Sequence, residues 1–369
     1  MVDAHYDAAA GVTEFLWVLR HGRGRSDGTS RAYAGRLALY LTWASETGVD
    51  WRRPTPVELT AFMGWLGRTQ SRKHRAGRNR RQADSVGHRT PGPARAPQTV
   101  NGILTAVVEL LRYLGAYEVI DEAVAGRLSQ PRRLRLLPGE GWGEATTRTV
   151  DARVLRERAA PPAPVALTTE QQEALRSACG NHRDRFLVEV LAGTGLRVGE
   201  ACGLRLEDLH FLPSSELLGC RVPGGHLHVV RREANDNGAV AKSPYPRAVP
   251  VGAGVAAAYS AYRLERDRVP EATASDFVFV NLYRPPLGRG LTPHGVEELF
   301  GRLSTRVGFR ARPHMLRHSF ATAIAERTRD PVIVKELLGH ASVASTDVYL
   351  HPRWAELRAA VATLSEAHP

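Results

Sequence analysis

Gly193-Thr194-Gly195-Leu196-Arg197-Val198-Gly199-Glu200 is the stretch on which the reading of this chain turns. Its glycines separate a helix expected over 182–193 from one expected over 197–204, with Arg197 at the opening of the second. Glu200 lies three residues on, on the same helical face, where a carboxylate can hold the guanidinium in one rotamer. Alone, such a pair is most often a surface ion pair. Three further phrases lie downstream: Pro313-His314-Met315-Leu316-Arg317-His318, then Leu337-Leu338-Gly339-His340, then Tyr349 nine residues after His340. His314 and Arg317 follow a proline at an expected helix start, where the positive end of the helix dipole favours a phosphate. Lys242 stands just before an expected strand at 247–251. Singly, each has a blander reading: a capping histidine, a solubilising lysine, a packing tyrosine. Together, two arginines, a lysine and two histidines are the donors a phosphodiester needs around it, and a tyrosine can attack it.

The rest of the composition agrees with a nucleic-acid partner. At 369 residues the chain should hold about two domains. Its formal charge is +12, with most of the excess in arginine, which favours bidentate phosphate contacts. An arginine-rich, GC-rich coding background gives the same composition, so charge alone does not decide. No run of about 18 apolar residues occurs, so no membrane span is expected. Met1–Ala10 lacks a basic stretch followed by an apolar one, so no secretory signal is expected, and the protein is placed in the cytoplasm, on the nucleoid. Cys179, Cys202 and Cys220 show no CxxC spacing and are read as small packed side chains in a reducing compartment, not as a disulfide or zinc site.

The N-terminal part reads as a helical bundle over 1–120. Ser30 is the expected cap of a helix carrying Tyr33, Leu37, Tyr40, Leu41 and Ala44, stopped at Gly48. Thr55-Pro56-Val57-Glu58 is a capping box with proline at the first helical position. A third helix is expected over 99–114, ending at Gly115. Between the last two lies a basic insertion, 68–97, which includes Arg72, Lys73, Arg75, Arg78, Arg80 and Arg81 against one acid, Asp84. It reads as an arm lying along DNA phosphates, or else as a solvated insertion. Residues 121–165, rich in proline and glycine, read as a linker. A second capping box, Thr168-Thr169-Glu170-Gln171, opens a mixed domain over 166–369. Its strands are expected at 226–230, 247–251 and 277–280, and its helices at 168–179, 182–193, 197–204, 253–267, 292–306, 313–327 and 331–338.

The set Arg197, Lys242, His314, Arg317, His340 and Tyr349, in this order and in these phrases, resembles the tyrosine recombinase (phage integrase) family. The resemblance covers about 168–351, and more loosely the N-terminal bundle. It departs at Lys242, which is followed by Ser243-Pro244 where glycine is frequent in the family. It implies a mainly α fold with a small β component: a helical, SAM-like core-binding bundle plus an α+β catalytic domain, together a C-shaped clamp on double-stranded DNA. It implies that Tyr349 cleaves DNA through a 3′-phosphotyrosyl intermediate, that Arg197, Arg317 and His340 bind the phosphate, that His314 is the base, that Lys242 is the acid, and that Glu200 supports Arg197. No metal, ATP or other cofactor is implied. A homo-tetramer on DNA is, with or without a second recombinase. The apolar stripe Trp354, Leu357, Val361 and Leu364 then docks on its own domain or on a neighbouring protomer. The Asn235-Asp236-Asn237-Gly238 stretch and the 68–97 insertion exceed a minimal housekeeping resolvase and point to a mobile element. Two other readings stay open: a type IB topoisomerase, which uses a similar site, and a non-catalytic DNA-binding relative.

Overall fold

The computed structural model describes residues 11–24, 27–69, 95–135, 147–153, 155–157, 165–232, 235–243 and 245–339. The chain divides into two compact units, Met1–Pro161 and Pro162–Pro369. The basic insertion from Arg72 to Arg81, His340, Tyr349 and the C-terminal stripe all lie outside the described residues.

The first unit is built on helices α1 (Val12–Trp17, continued by a π-helical turn Val18–Gly22), α2 (Asp27–Thr47), α3 (Pro56–Arg68), α4 (Pro97–Ala116) and α5 (Glu122–Gly126). Helix α4 is the central one. It buries Val100, Leu104, Val107, Leu111 and Leu114 against Leu37, Tyr40, Phe62 and Leu66. The Thr55 capping box has both arms: the threonine hydroxyl accepts from Glu58 N, and Glu58 accepts from Thr55 N at 2.7 Å. Such a cap contributes about 1 kcal/mol.

Three boundaries differ from expectation. Ser30 lies inside α2, which starts at Asp27, where the carboxylate meets Arg20 at 2.9 Å. Gly115 is the penultimate residue of α4 and does not stop it. Within the expected linker, strands β1 (Ser129–Arg135) and β2 (Thr147–Arg153) pair antiparallel, from Ser129 opposite Arg153 to Arg135 opposite Thr147. Beyond them the Asn101 side chain zips Glu157 to α4, donating to its carbonyl at 2.9 Å and accepting from its N–H at 3.0 Å.

The first helix of the second unit, α6 (Thr169–Ser177), opens at the Thr168 box, again with both arms. Then come α7 (His182–Thr194), α8 (Val198–Cys202), β3 (Leu209–His210), β4 (His226–Val229), β5 (Arg247–Pro250), α9 (Ala253–Arg266), α10 (Pro270–Thr273), α11 (Pro293–Val307), α12 (Pro313–Thr328) and α13 (Pro331–Leu338). The sheet order is β3-β4-β5, all antiparallel. Helix α7 buries most of its surface, including Phe186, Leu187, Val190 and Leu191, and leaves only the stripe His182, Arg185, Glu189 and Gly193 open to solvent or half-buried. Phe186 on α7 stacks on Tyr262 of α9 and on Phe279, and the Tyr262 hydroxyl donates to the Val278 carbonyl at 2.7 Å.

The run 277–280, expected as a strand, makes only isolated bridges, Phe277 with Arg205 and Val280 with Gly290. Its residues are buried in the core, and their backbone bonds go to loop residues: Val278 N–H to Leu204 O, and Phe279 O from Leu291 N–H.

Candidate active site

Gly195 ends α7 in the left-handed region (φ 63°), which a glycine adopts without penalty. A Cβ there would lie 2.5 Å from Phe320, and one on Gly199 would lie 2.6 Å from the Val240 carbonyl. Of the motif's three glycines, Gly195 is thus demanded by backbone shape and by close packing, and Gly199 by close packing alone. Between them Arg197 caps α8.

Glu200 is the hub. Its side chain is fully buried and holds two arginines. One carboxylate oxygen accepts from Arg197 N–H at 2.9 Å and from Arg247 Nη2 at 2.9 Å; the other accepts from Arg197 Nη1 at 3.1 Å. Burial opposes the charge of this carboxyl, but the hydrogen bonds and charges of Arg247 and Arg197 prevail and hold it below the ordinary glutamate range.

The C-terminal end of α13 supplies the other anchor. The Leu338 carbonyl accepts from Arg317 Nη2 at 2.9 Å and from Arg197 Nη1 at 3.4 Å, and the Leu337 carbonyl accepts from Arg247 Nε at 3.2 Å. These are carbonyls left without helical partners, at the negative end of the helix dipole, where cations are stabilised. Gly339 caps α13 with φ 61°, and a Cβ there would sit 2.6 Å from Arg247 Nη1. Arg317, on α12 and only 1% exposed, also donates to the Gly195 carbonyl at 2.6 Å. Arg197 and Arg317 therefore share one carbonyl although they stand far apart in sequence.

His314 is the second residue of α12, on its exposed side. Partial desolvation, then the charges of Arg317, Arg197 and Lys242, hold its imidazole below the usual histidine range. The Lys242 charge thus acts on His314 as those of the two arginines do. His318 packs edge-on against His314, with ring centroids 4.3 Å apart. Its pKa is pushed down to about 4, by burial first and then by His314 and Arg317.

Lys242 is exposed in the long connection between β4 and β5, five residues before β5 begins. The connection is pinned by Asn237, whose Nδ2 donates to the Cys202 and Leu291 carbonyls at 2.9 and 3.0 Å. Asn235 adds a bond to the Ala239 carbonyl at 2.8 Å. Ala239 and Ala241, between these asparagines and Lys242, are buried. The Asn235–Gly238 stretch thus has a local job: it fixes the segment that carries the lysine.

The described residues bring together Arg197, Glu200, Lys242, His314 and Arg317. Sequence reasoning missed Arg247 as part of the centre. Its signal was its place at the head of β5, five residues after Lys242, where a charge entering a sheet calls for a partner. Such a cluster of cations around one carboxylate has the donors to hold an anionic phosphate and to stabilise charge that grows on it.

A mainly helical domain with a three-stranded sheet carries this cation centre, and a helical bundle precedes it in the chain: the class is a two-domain α-helical protein with a phosphate-type anion site. Residues 166–356 match the phage integrase family, and residues 12–83 match the N-terminal SAM-like domain of phage integrases. The chain belongs to the phage integrase family: it is a tyrosine recombinase, an enzyme that cleaves and rejoins DNA strands. Transposase A from transposon Tn554 of Staphylococcus aureus is 26% identical over 356 residues, covering 95% of this chain and 90% of its own length. Tyrosine recombinase XerA of Pyrococcus horikoshii is 31% identical over 198 residues, covering 54% of this chain and 60% of its own. Among solved structures, the Tn1549 transposon integrase in complex with circular intermediate DNA aligns with a TM-score of 0.57 at 18% identity, covering 95% of this chain and 98% of that one. XerH bound to its difH substrate aligns with the same score at 18% identity, covering 96% and 85%. Among the described residues no helix is long and apolar enough to cross a membrane.

Proposed function

We propose that this recombinase moves a mobile element, and that Arg197, Lys242, His314, Arg317, His340 and Tyr349 carry its chemistry. The observation that carries the site assignment is the shared anchoring of Arg197 and Arg317 on the Leu338 carbonyl, with His314 and Lys242 in the same electrostatic field. The mobile-element reading draws on the alignment with the Tn554 transposase along almost the whole chain.

In this reading the Tyr349 hydroxyl oxygen attacks the scissile phosphorus. The bond to the DNA 5′-oxygen breaks, and a 3′-phosphotyrosyl link forms. The tyrosine proton passes to His314, whose lowered pKa keeps it neutral and able to accept near pH 7. Lys242 gives a proton to the departing 5′-oxygen. Arg197, Arg317 and His340 bond to the non-bridging oxygens, whose charge grows in the transition state. Glu200 is a positioning residue, acting through Arg197 and Arg247. The phosphotyrosyl link conserves the bond for rejoining, so the exchange balances without ATP. Arg72, Lys73, Arg75, Arg78, Arg80 and Arg81 lie along double-stranded DNA phosphates and make binding salt-dependent. The active assembly is a homo-tetramer on DNA, which exchanges one pair of strands and then the other.

The test is covalent trapping on a nicked duplex carrying the recombination site. Wild-type protein should give a covalent band, and Tyr349→Phe should reduce it by about a thousandfold or more. A band of equal strength from Tyr349→Phe would remove Tyr349 as the nucleophile. Joining of two sites, rather than plasmid relaxation alone, separates a recombinase from a topoisomerase.

A further inference from the structure

His210 lies on β3, and His226 and His228 on β4. The register sets His210 opposite His226, and the two-residue period of a strand sends His226 and His228 to the same side. Between the strands, a 3₁₀ turn (Glu216–Leu218) ends at Gly219 in the left-handed region (φ 80°), one residue before Cys220. Cys220 Sγ lies 3.3 Å from His226 Nε2 and 3.3 Å from His228 Nε2, and those two nitrogens are 3.2 Å apart. One potential ligand atom from each of the four residues lies within 4.8 Å of the rest.

Hydrogen bonding fixes one tautomer in this group and leaves one buried nitrogen unpaired. His226 Nδ1 sits 2.8 Å from the Gly224 carbonyl, which can only accept. Nδ1 therefore carries the proton, and Nε2 turns a lone pair toward Cys220 and His228. A carbonyl behind a ligating histidine is the usual means of fixing its tautomer. His210 Nδ1 is buried with no hydrogen-bond partner, and His210 is itself only 8% exposed. An ordinary core does not gather three imidazoles and a thiol with a potential ligand atom of each within 4.8 Å of the others. A tetrahedral zinc ion with Zn–N of about 2.0–2.1 Å and Zn–S of about 2.3 Å separates its ligand atoms by roughly 3.3–3.6 Å. The observed 3.2 and 3.3 Å separations among Cys220, His226 and His228 lie close to that spacing, and the His210 ligand atom, within 4.8 Å of the rest, would close onto the ion.

We propose that His210, Cys220, His226 and His228 bind one zinc ion in a closed, four-coordinate structural site. Four protein ligands leave no open position for water, which marks a structural ion and not a catalytic one. Binding releases the Cys220 thiol proton to solvent, and the resulting thiolate bonds to the metal. The ion would staple the 211–225 connection onto β3 and β4, in the sheet whose β5 begins at Arg247. This departs from the expectation of no metal. The ligands follow a His-x9-Cys-x5-His-x-His spacing, and only the β3–β4 register brings His210 to the others. The proposal does not depend on which residues carry the recombination chemistry.

The test uses the full chain, produced with added zinc and dialysed against metal-free buffer. Elemental analysis should find about one zinc per chain, falling roughly tenfold or more in Cys220→Ser and in His226→Gln. Cobalt substitution of the wild type should give the intense visible bands of a tetrahedral ion and a near-ultraviolet thiolate-to-cobalt band, the latter lost in Cys220→Ser. If the variants fail to fold, the wild type decides. Chelation should expose one further reactive thiol and lower the melting temperature by several degrees, and zinc should reverse both. Folded wild-type protein that holds less than about a tenth of an ion per chain after zinc loading overturns the proposal, as does full zinc content in either folded variant.

Discussion

Two polar centres sit on the same domain with opposite needs. Around Glu200, cations outnumber the one carboxylate, and the surplus is held by backbone carbonyls of α13 and of Gly195. Around Cys220, three imidazoles and a thiol crowd together, and one imidazole nitrogen is buried without a partner. A surplus of donors suits an anion, and crowded imidazole and thiol ligand atoms suit a metal cation. The sign of what each centre lacks, more than the mere presence of polar groups, points to what it binds.

The cation centre can be broken most severely at its arginines. Arg197→Ala and Arg317→Ala should each lower the rate of covalent complex formation by about 10²–10³-fold, the loss typical of removing one donor to transition-state charge. DNA affinity, measured by gel shift at fixed salt, should change less than about tenfold, since each contributes one contact among many phosphate contacts. Arg317→Lys sharpens the point. It keeps the charge but cannot span the Gly195 and Leu338 carbonyls as the guanidinium does. It should therefore resemble the alanine variant in rate. Equal losses of rate and affinity would reduce both arginines to ordinary phosphate contacts.

The two centres were not equally legible. Arg197, His314 and Arg317 stand in short phrases, and local rules place them: a helix cap, a proline at the first helical position, a left-handed glycine. The helices at 182–194, 253–266 and 313–328 likewise follow from periodicity and caps. Arg247 left only the weak signal of its place at the head of β5, because its partners, Glu200 and the Leu337 carbonyl, are remote in sequence and only the fold joins them. The His/Cys group was hidden for a related reason: strand pairing brings His210 to it, and β3 is only two residues long. Helix α1 escaped because Phe15-Leu16-Trp17-Val18-Leu19 is apolar on every side and shows no stripe. The 277–280 run looked like a strand because it is continuously apolar, but its partners are loops.

Glu200 tests the hub itself. Glu200→Gln keeps the shape and removes the charge, leaving Arg197 and Arg247 without their shared counter-ion. Unfolding in urea should show a loss of about 1–3 kcal/mol, the range for a buried charge pair broken on one side but still hydrogen-bonded. The cleavage rate should fall about tenfold, less than for either arginine of the phosphate-binding pair, because Glu200 acts only through them. An unchanged rate with reduced stability would make Glu200 a structural residue alone.

The smallest effect expected is a shift in how stability depends on pH, and it comes from the histidine pair beside the arginines. His318 is held down to about 4 in the folded protein, while an unfolded histidine titrates near 6.5. As pH falls below about 6.5 the unfolded chain takes up a proton that the folded chain refuses, so stability declines through the window down to about 4 and levels below it. His314 adds to the same trend, since its folded value is also lowered. Removing His318 as His318→Gln should make the slope of unfolding free energy against pH shallower by up to about one proton in that window. Chemical unfolding at a series of pH values measures it, with buffer ionic strength held constant because salt screens the neighbouring arginines. Bound DNA should act in the opposite direction on His314, since a phosphate placed among Arg197, Arg317 and Lys242 offsets the cations that depress it. An NMR titration of His314 in the Tyr349→Phe variant, free and DNA-bound, should therefore show its pKa rising on binding. A fall on binding would mean that the phosphate does not enter the centre that Glu200 organises.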